Sequence, residues 1–536
     1  QGNVACIIDV MQSLDADLIV TPEMSICGYP PRDLLLLKDF VKACEQSVDE
    51  VAFASKEVPV ILGHPRVDEL TGKLRNSFSV VQNGEIIARG DKQLLPSYDV
   101  FDEKRYFESG EGSCSFLLGD IKVGIAICED FWRGEDAYVA PTYEINPIDS
   151  LIQEGCSLLI NPSASPFVAR KQEAHIGYAC NIAKAHNVSI VMCNQVGAND
   201  DLIFNGGSFV AKPSGIVGML PNFETGVNAF NLNDSTIALP RFNEEADCVR
   251  ALLLGISDYF KKTRHTKAFV GLSGGIDSAL TATLAVASIG KENVTGILMP
   301  SRFSSLGSVS DAEALAINLG IKIKTLPIEH LHKSFDRTMY DASQDITGVS
   351  NENMQARLRG LLLMAMANEE NALLLSTGNK SELAVGYSTL YGDMSGAVSV
   401  IGDIYKTDVW SMSEWLNSNY EFLNFSAPPI PDSSITKLPS AELKPDQFDQ
   451  DSLPPYDQLD EVLRLHIDFD LGINEIEDKS QIPLEIIQQV VALVDRSQFK
   501  REQSALILKI NPRSFGRGRR MPIVMQRNWT LSRELS

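Results

Sequence analysis

Three short segments each set one reactive side chain at the end of an apolar run: Val20-Thr-Pro-Glu23, Asp91-Lys92-Gln-Leu-Leu-Pro96 and Ala126-Ile-Cys128-Glu-Asp130. A carboxylate, an ammonium and a thiol brought together make an amidase that needs no histidine. In such a site Glu23 takes the thiol proton, while Lys92 lowers the thiol pKa and stabilises the oxyanion. Any one of the three alone reads as structure, because a strand-end Cys is usually a core thiol and a lone Lys is usually solvated. Their joint occurrence is what points to chemistry. A second constellation is Ser273-Gly-Gly-Ile-Asp277-Ser278, which follows an apolar run and precedes an alanine-rich one. Its glycines let backbone N–H groups approach phosphate, a helix N-terminus adds positive potential, and the hydroxyls of Ser273 and Ser278 can donate. The turn lacks the Lys of a Walker loop, so it suits pyrophosphate binding better than γ-phosphate transfer.

The elements that must position these residues follow from hydrophobic patterning. Asp17–Val20, Val58–Leu62, Lys122–Ile127, Ser157–Ile160 and Ser189–Met192 read as buried strands, which predicts a layered α/β unit over residues 1–235 with its chemistry at strand ends. Residues 236–248 are polar and read as a linker, and a second α/β unit is expected over 249–536. There, strand Ala268–Leu272, a helix over Ser278–Ser288 and strand Val294–Met299 form a βαβ unit around the glycine turn. Residues 426–455, rich in Pro, Asp and Ser, are expected to form a long functional loop. His330 and His332 are expected in an exposed loop and carry no assigned role.

At 536 residues the chain exceeds one ordinary core, and 44% hydrophobic with 22% charged residues is a globular composition. A net charge of −23 argues against general nucleic-acid binding. No run approaches the ~20 apolar residues of a membrane span. All nine cysteines fall between Cys6 and Cys248 without a metal-like pair, which favours reduced thiols in a cytoplasmic protein; Cys27 and Cys193 read as core thiols. The chain opens at Gln1 without a signal-peptide pattern.

Thr21-Pro-Glu-Met-Ser-Ile-Cys-Gly-Tyr-Pro30 resembles the first motif of the nitrilase, or carbon–nitrogen hydrolase, superfamily, and Ile127-Cys-Glu-Asp-Phe-Trp132 is similar to the glutaminase domains of NAD synthetases. The resemblance implies an α/β/β/α sandwich, a Glu23–Lys92–Cys128 triad, and glutamine contacts from Tyr98, Glu129, Ser165 and Lys171. Arg170 stands where that family commonly has glycine, which leaves open whether Arg170 or Lys171 faces glutamine. Family members begin with a strand ahead of the segment that starts here at Gly2, and an upstream strand left out of the chain is expected.

Ser273–Ser278 resembles the loop of the ATP pyrophosphatases, which adenylate a carboxyl or carbonyl oxygen and release pyrophosphate. Met299-Pro-Ser-Arg-Phe-Ser-Ser305, Asn353-Met-Gln-Ala-Arg357, Ser376-Thr-Gly-Asn-Lys-Ser-Glu382, Gly386–Asp393 and Arg513–Arg520 are similar to NAD synthetases in sequence and in order. The resemblance implies a Rossmann-like, adenine nucleotide alpha hydrolase-like domain that binds ATP through Gly271, Leu272, Ser273, Gly274, Gly275, Ile276, Asp277, Ser278 and Thr377. It implies deamido-NAD contacts from Asn353, Glu382 and Lys509, and a mobile segment at 426–455 that closes over ATP. Adenylation must neutralise two polyanions, so Mg²⁺ on oxygen ligands is expected, with Asp277 and Glu382 as candidates. Glu382 also reads as a helix-capping carboxylate. Gly396-Ala397 departs from a family pattern that often has a second glycine. The expected activity is ATP- and glutamine-dependent amidation of deamido-NAD in a homo-oligomer with internal transfer of ammonia. Rival readings are an amidotransferase with another acceptor, or a binding module that keeps the fold without turnover.

Overall fold

The computed structural model describes residues 1–133 and 143–524. The chain divides into two compact units, Gln1–Asp247 and Cys248–Ser536.

The first unit stacks two sheets. One has order β1-β2-β3-β4, comprising Ile19–Val20, Val60–Val67, Leu74–Gln82 and Glu85–Asp91. The other has order β12-β11-β8-β7-β6-β5, where β5 is Cys114–Leu118, β6 Ile121–Ile125, β7 Leu158–Ser163, β8 Ser189–Asn194, β11 Phe209–Lys212 and β12 Gly215–Met219. β9 (Val196–Asn199) and β10 (Leu202–Asn205) form a separate hairpin. Helices α1 (Gly2–Ser13) and α2 (Lys38–Ala54) pack on the first sheet through Val4, Ile7, Val48, Val60, Leu62 and Val81. The inter-sheet core joins Ile61, Phe78 and Val80 to Val123, Ile125 and Ile160. It continues to Ile176, Ala179 and Ala183 of α5 (Lys171–His186), after the short α3 (Glu129–Trp132) and α4 (Pro147–Gln153). The layering is therefore α/β/β/α: the strand pattern implies a layered α/β unit, and the resemblance implies the sandwich.

The residues read as a linker, 236–248, enter a helix early. α6 spans Glu244–Thr263, and Asn243 Oδ1 accepts from Ala246 N at 2.7 Å. An Asx start followed by Glu244, Glu245 and Asp247 suits a helix N-terminus, and that local signal outweighs the polar composition.

The second unit holds a parallel sheet, order β15-β14-β13-β16-β17-β18. These strands are β13 Ala268–Leu272, β14 Val294–Leu298, β15 Lys322–Thr325, β16 Leu373–Ser376, β17 Val398–Ser399 and β18 Leu506–Ile507. Both faces are covered by helices, among them α7 (Ile276–Ile289), α8 (Leu306–Leu319), α9 (Glu329–Asp341), α10 (Val349–Glu369), α11 (Lys380–Val385) and α12 (Lys406–Ser418). Strand order reverses between β13 and β16, and ligands of open α/β sheets sit in the crevice at such a switch point. The Ser273–Ser278 turn leaves β13 at that point.

His330 and His332 are not in an exposed loop. They lie on α9, where His332 is buried and its Nε2 is 3.2 Å from Asn351 Oδ1. Residues 426–455 are an ordered strap with helical turns at Asp432–Thr436 and Asp449–Asp451. Gly396 answers the departure noted beside it: a Cβ there would come within 2.9 Å of Ser376 N, while Ala397 N keeps a 2.8 Å bond to Leu374 O.

Candidate functional site

The strand-end residues of the first unit converge. Lys92, one residue past β4, is fixed by its own N–H, which donates to Asn76 O at 2.7 Å. Its Nζ lies 2.8 Å from Glu23 Oε1 and 2.8 Å from Glu103 Oε1. Glu23 Oε2 accepts from Ala164 N at 3.1 Å. Cys128 bridges β6 to α3 at φ 45° and ψ −103°, a sparsely populated conformation for a side chain with a Cβ. Its N–H donates to Pro162 O at 2.9 Å. Asp130 ties this elbow to the Lys92 segment by accepting from Leu94 N at 2.6 Å, Gln93 N at 2.9 Å and Ile127 N at 3.3 Å. Burial pushes the Asp130 carboxyl up to about 7.

The electrostatics refine the expected roles. Burial opposes the Lys92 charge, yet Glu103, Glu23 and Cys128 outweigh it and hold the ammonium well above its ordinary pKa. Burial and Glu23 raise the Cys128 thiol well above its ordinary value, and the downward pull of Lys92 does not reverse this. Lys92 lowers the thiol pKa, the direction expected of it, but desolvation disfavours the thiolate more than one ammonium favours it. Glu103 was missed by sequence reasoning. It is 3% exposed, its carboxyl is raised by burial against the pull of Lys92, and Tyr29 Oη donates to it at 2.8 Å. No spacing rule links it to the triad.

Tyr98 Oη donates to Glu129 Oε2 at 2.9 Å and Tyr143 Oη to Glu129 Oε1 at 2.7 Å, so Glu129 lies beside Cys128 inside a phenol clamp. Ser165 follows Ala164 and is buried, with its N–H donating to Asn194 Oδ1 at 2.9 Å. Lys171 opens α5 and donates to Pro166 O at 3.2 Å. Arg170, at φ 67°, turns outward to pair with Glu244 at 2.5 Å, its side chain 77% exposed. The Cys27 thiol lies 3.5 Å from Gly28 O, and the Cys193 thiol lies 3.4 Å from Val20 O.

In the second unit, a cavity of about 300 Å³ is lined by Gly271, Leu272, Ser273, Gly275, Ile276, Asp277, Ser278, Thr377 and Glu382. Gly274 makes the turn possible at φ 79°, where a Cβ would sit 2.2 Å from Ser308 O. Ser273 Oγ and Ser278 Oγ are 3.1 Å apart, and Gly275 N donates to Ser273 Oγ at 3.2 Å. Asp277 Oδ1 accepts from Asn379 Nδ2 at 2.9 Å, and Oδ2 is in direct contact with Lys406 Nζ, which lies 3.9 Å from Glu382 Oε1. Burial and Asp277 raise the Glu382 carboxyl well above its ordinary range, against the pull of Lys406. Glu382 closes a capping box with Asn379 on α11, the capping role read from the sequence, and also lines the cavity.

Sequence reasoning missed Lys406 and Asn379, which reach this cluster only through the fold. Asn353 and Lys509 lie outside the cavity lining. Asn353 Oδ1 accepts from Thr389 Oγ1 at 2.9 Å, and Lys509 Nζ donates to Asn511 O and Pro512 O at 2.6 Å each. The strap forms one wall of the cavity with Pro439–Leu443 and Asp449. It is pinned by Ser434 Oγ donating to Gly274 O at 3.1 Å, and by Glu442 accepting from Ser308 Oγ at 2.6 Å and Ser305 Oγ at 2.9 Å. Among the described residues, no group of three or more His, Cys, Asp or Glu is disposed to hold a metal ion, and no helix is long and apolar enough to cross a membrane.

Comparisons with known proteins agree with this division. The carbon–nitrogen hydrolase family model matches residues 2–241 and the NAD synthase model residues 248–504. The chain is 44% identical over 531 residues to the glutamine-dependent NAD(+) synthetase of Synechocystis, covering 96% of this chain and 93% of that one. It is 37% identical to the enzyme of the same name from Thermotoga maritima, covering 98% and 96%. Among solved structures, the glutamine-dependent NAD+ synthetase of Acinetobacter baumannii, determined with ADP, matches with TM-score 0.76 at 35% identity over 97% of this chain and 95% of that one. That of Cytophaga hutchinsonii matches with TM-score 0.82 at 21% identity over 98% and 95%, a likeness of fold. With both catalytic units present and aligned nearly end to end with those relatives, the chain belongs to the glutamine-dependent NAD(+) synthetase family.

Proposed function

We propose that the chain amidates deamido-NAD to NAD with ATP and glutamine, and that the residues just described divide the work between two sites. The observation that carries the reading is the buried Glu23–Lys92–Glu103 cluster beside the Cys128 elbow, in one chain with a Ser-Gly-Gly-Ile-Asp-Ser turn at the switch point of a parallel sheet.

In the first site Glu23 removes the Cys128 proton as Sγ attacks the glutamine amide carbon, and Lys92 Nζ stabilises the oxyanion. Collapse of the tetrahedral intermediate expels ammonia, which takes the proton from Glu23. Water, activated by the same carboxylate, then hydrolyses the thioester to glutamate. Tyr98, Glu129, Ser165 and Lys171 are assigned to the amino and carboxyl groups of glutamine. The outward pairing of Arg170 favours Lys171 over its neighbour.

In the second site the turn from Ser273 to Ser278 holds the ATP phosphates, with Gly271, Leu272 and Thr377 on the nucleotide side. A carboxylate oxygen of deamido-NAD attacks the α-phosphorus, pyrophosphate leaves, and ammonia displaces AMP from the acyl adenylate. Asp277 and Glu382 fit a Mg²⁺ ion, because both carboxylates face one buried cation, the Lys406 ammonium, and offer the hard oxygen donors that ion takes alongside phosphates and water. When bound, it would supply charge neutralisation for the pyrophosphate. Glu382, Asn353 and Lys509 are assigned to deamido-NAD on resemblance alone. The nine free thiols fit a reducing cytoplasm, and a homo-oligomer is proposed on the same resemblance.

The test is incubation with ATP, Mg²⁺, glutamine and deamido-NAD, with NAD followed by mass and AMP and pyrophosphate by chromatography. Equal yields of all three are expected; ADP and phosphate in their place refute adenylation.

A further inference from the structure

β3 runs through the middle of the four-stranded sheet, and its period of two puts Asn76, Phe78 and Val80 on one side. Phe78 and Val80 belong to the inter-sheet core that contains Cys128. Asn76 takes the remaining place in this otherwise apolar stripe, 1% exposed. Burying an amide there is costly unless its polar atoms are used. Asn76 Nδ2 donates to Glu23 Oε1 at 2.7 Å and lies 3.5 Å from Glu103 Oε2. Asn76 O accepts from Lys92 N at 2.7 Å. One residue thus touches every charged member of the cluster, while Asn76 Oδ1 is buried without a partner.

We infer that Asn76 is a positioning residue of the glutamine-hydrolysing site: its amide holds the two carboxylates on either side of the Lys92 ammonium and fixes the orientation of Glu23 as the base. The inference rests on the roles proposed above for Glu23, Lys92 and Cys128. Two carboxylates around one ammonium leave a surplus negative charge in a buried pocket. A neutral donor on Glu23 stabilises that charge without adding another, because a hydrogen bond to the charged form favours it. A leucine of similar size would satisfy the packing and leave Oε1 with Lys92 alone. The groups facing Glu23 are Lys92, Glu103, the Cys128 thiol and the Tyr29 phenol, and none of them is removed by changing Asn76.

The experiment measures glutamine hydrolysis by the full chain against pH for the wild type, Asn76→Leu and Asn76→Asp, with ammonia-dependent NAD synthesis as the control on the other unit. In Asn76→Leu, kcat falls about tenfold or more while KM for glutamine stays within about twofold. The acid limb of kcat/KM moves to higher pH by about one unit. Asn76→Asp, of the same shape, moves it further because it adds a third carboxylate. An acid limb that stays in place in both variants overturns the inference and leaves Asn76 a packing residue, whatever happens to kcat. Failure of both variants to fold overturns it too, since Asn76 would then be a keystone of the sheet. If Cys128→Ala still hydrolyses glutamine, the underlying reading fails instead, a result separate from any outcome at Asn76.

Discussion

Replacing Lys92 by Met should damage stability and catalysis through the same missing charge, and a second substitution should separate the two. Lys92 and its partners Glu23 and Glu103 have side-chain exposures of 0%, 1% and 4%, so solvent screens the cluster very little. Removing one partner of a buried ionic cluster costs about 3–5 kcal/mol, because the remaining charge is left uncompensated. Here two carboxylates would be left. Burial already raises the Glu103 carboxyl, so that group takes up the proton that relieves the repulsion and brings the cost toward the lower end of the range. Glutamine hydrolysis should fall by at least roughly 10²- to 10³-fold, the usual effect of losing an oxyanion donor. In Lys92→Met/Glu103→Gln the pocket holds one carboxylate, Glu23, still bonded by Asn76 Nδ2 and Ala164 N. About 2 kcal/mol of stability should return while activity does not. Calorimetry of the full chain reads the first effect, and glutamate release reads the second. A single variant as stable as the wild type, or a double variant no more stable than the single, refutes the charge-balance argument; a double variant that regains activity refutes the role of Lys92.

Cys128→Ala, which changes little volume, should abolish glutamine-dependent NAD synthesis and retain synthesis from added ammonium at mildly alkaline pH, as measured by NAD formation. Asp277→Asn should lower NAD formation by orders of magnitude with either nitrogen source and leave glutamate release intact, so loss with glutamine alone would contradict its placement. His64 is buried, its Nε2 2.8 Å from Ser79 Oγ, and burial depresses its pKa from 6.5 to about 4. The neutral form is therefore native. Its contribution is fully present above pH 6.5 and is lost as pH falls toward 4, about 3 kcal/mol in all. His64→Gln should flatten the stability profile in that window, as read by urea unfolding at a series of pH values.

Much of this protein was legible in one dimension. Strands such as Ala268–Leu272, the turn that follows them, and the strand-end positions of Glu23, Lys92 and Cys128 are local matters, set by periodicity over a few residues and by glycine at φ 79° where a Cβ has no room. The length of 536 residues likewise implied two cores. Local signals misled where an element's fate depended on distant partners. The segment around His332 looks polar along the chain, yet α9 buries that ring against Asn351 of α10. The helix at Glu244 begins inside a run whose composition reads as a linker. What tertiary structure alone decided is the company each reactive group keeps. Glu103 and Asn76 join Glu23 and Lys92 because β3 and β4 pair in register and the chain after β4 folds back over them. Lys406 meets Asp277 across 129 residues. Long-range electrostatics depends on distance and burial, which no spacing in the chain encodes. For that reason the sequence named a thiol, a base and an ammonium, but only the packed site shows that the lysine is buried between two carboxylates and that burial raises the thiol.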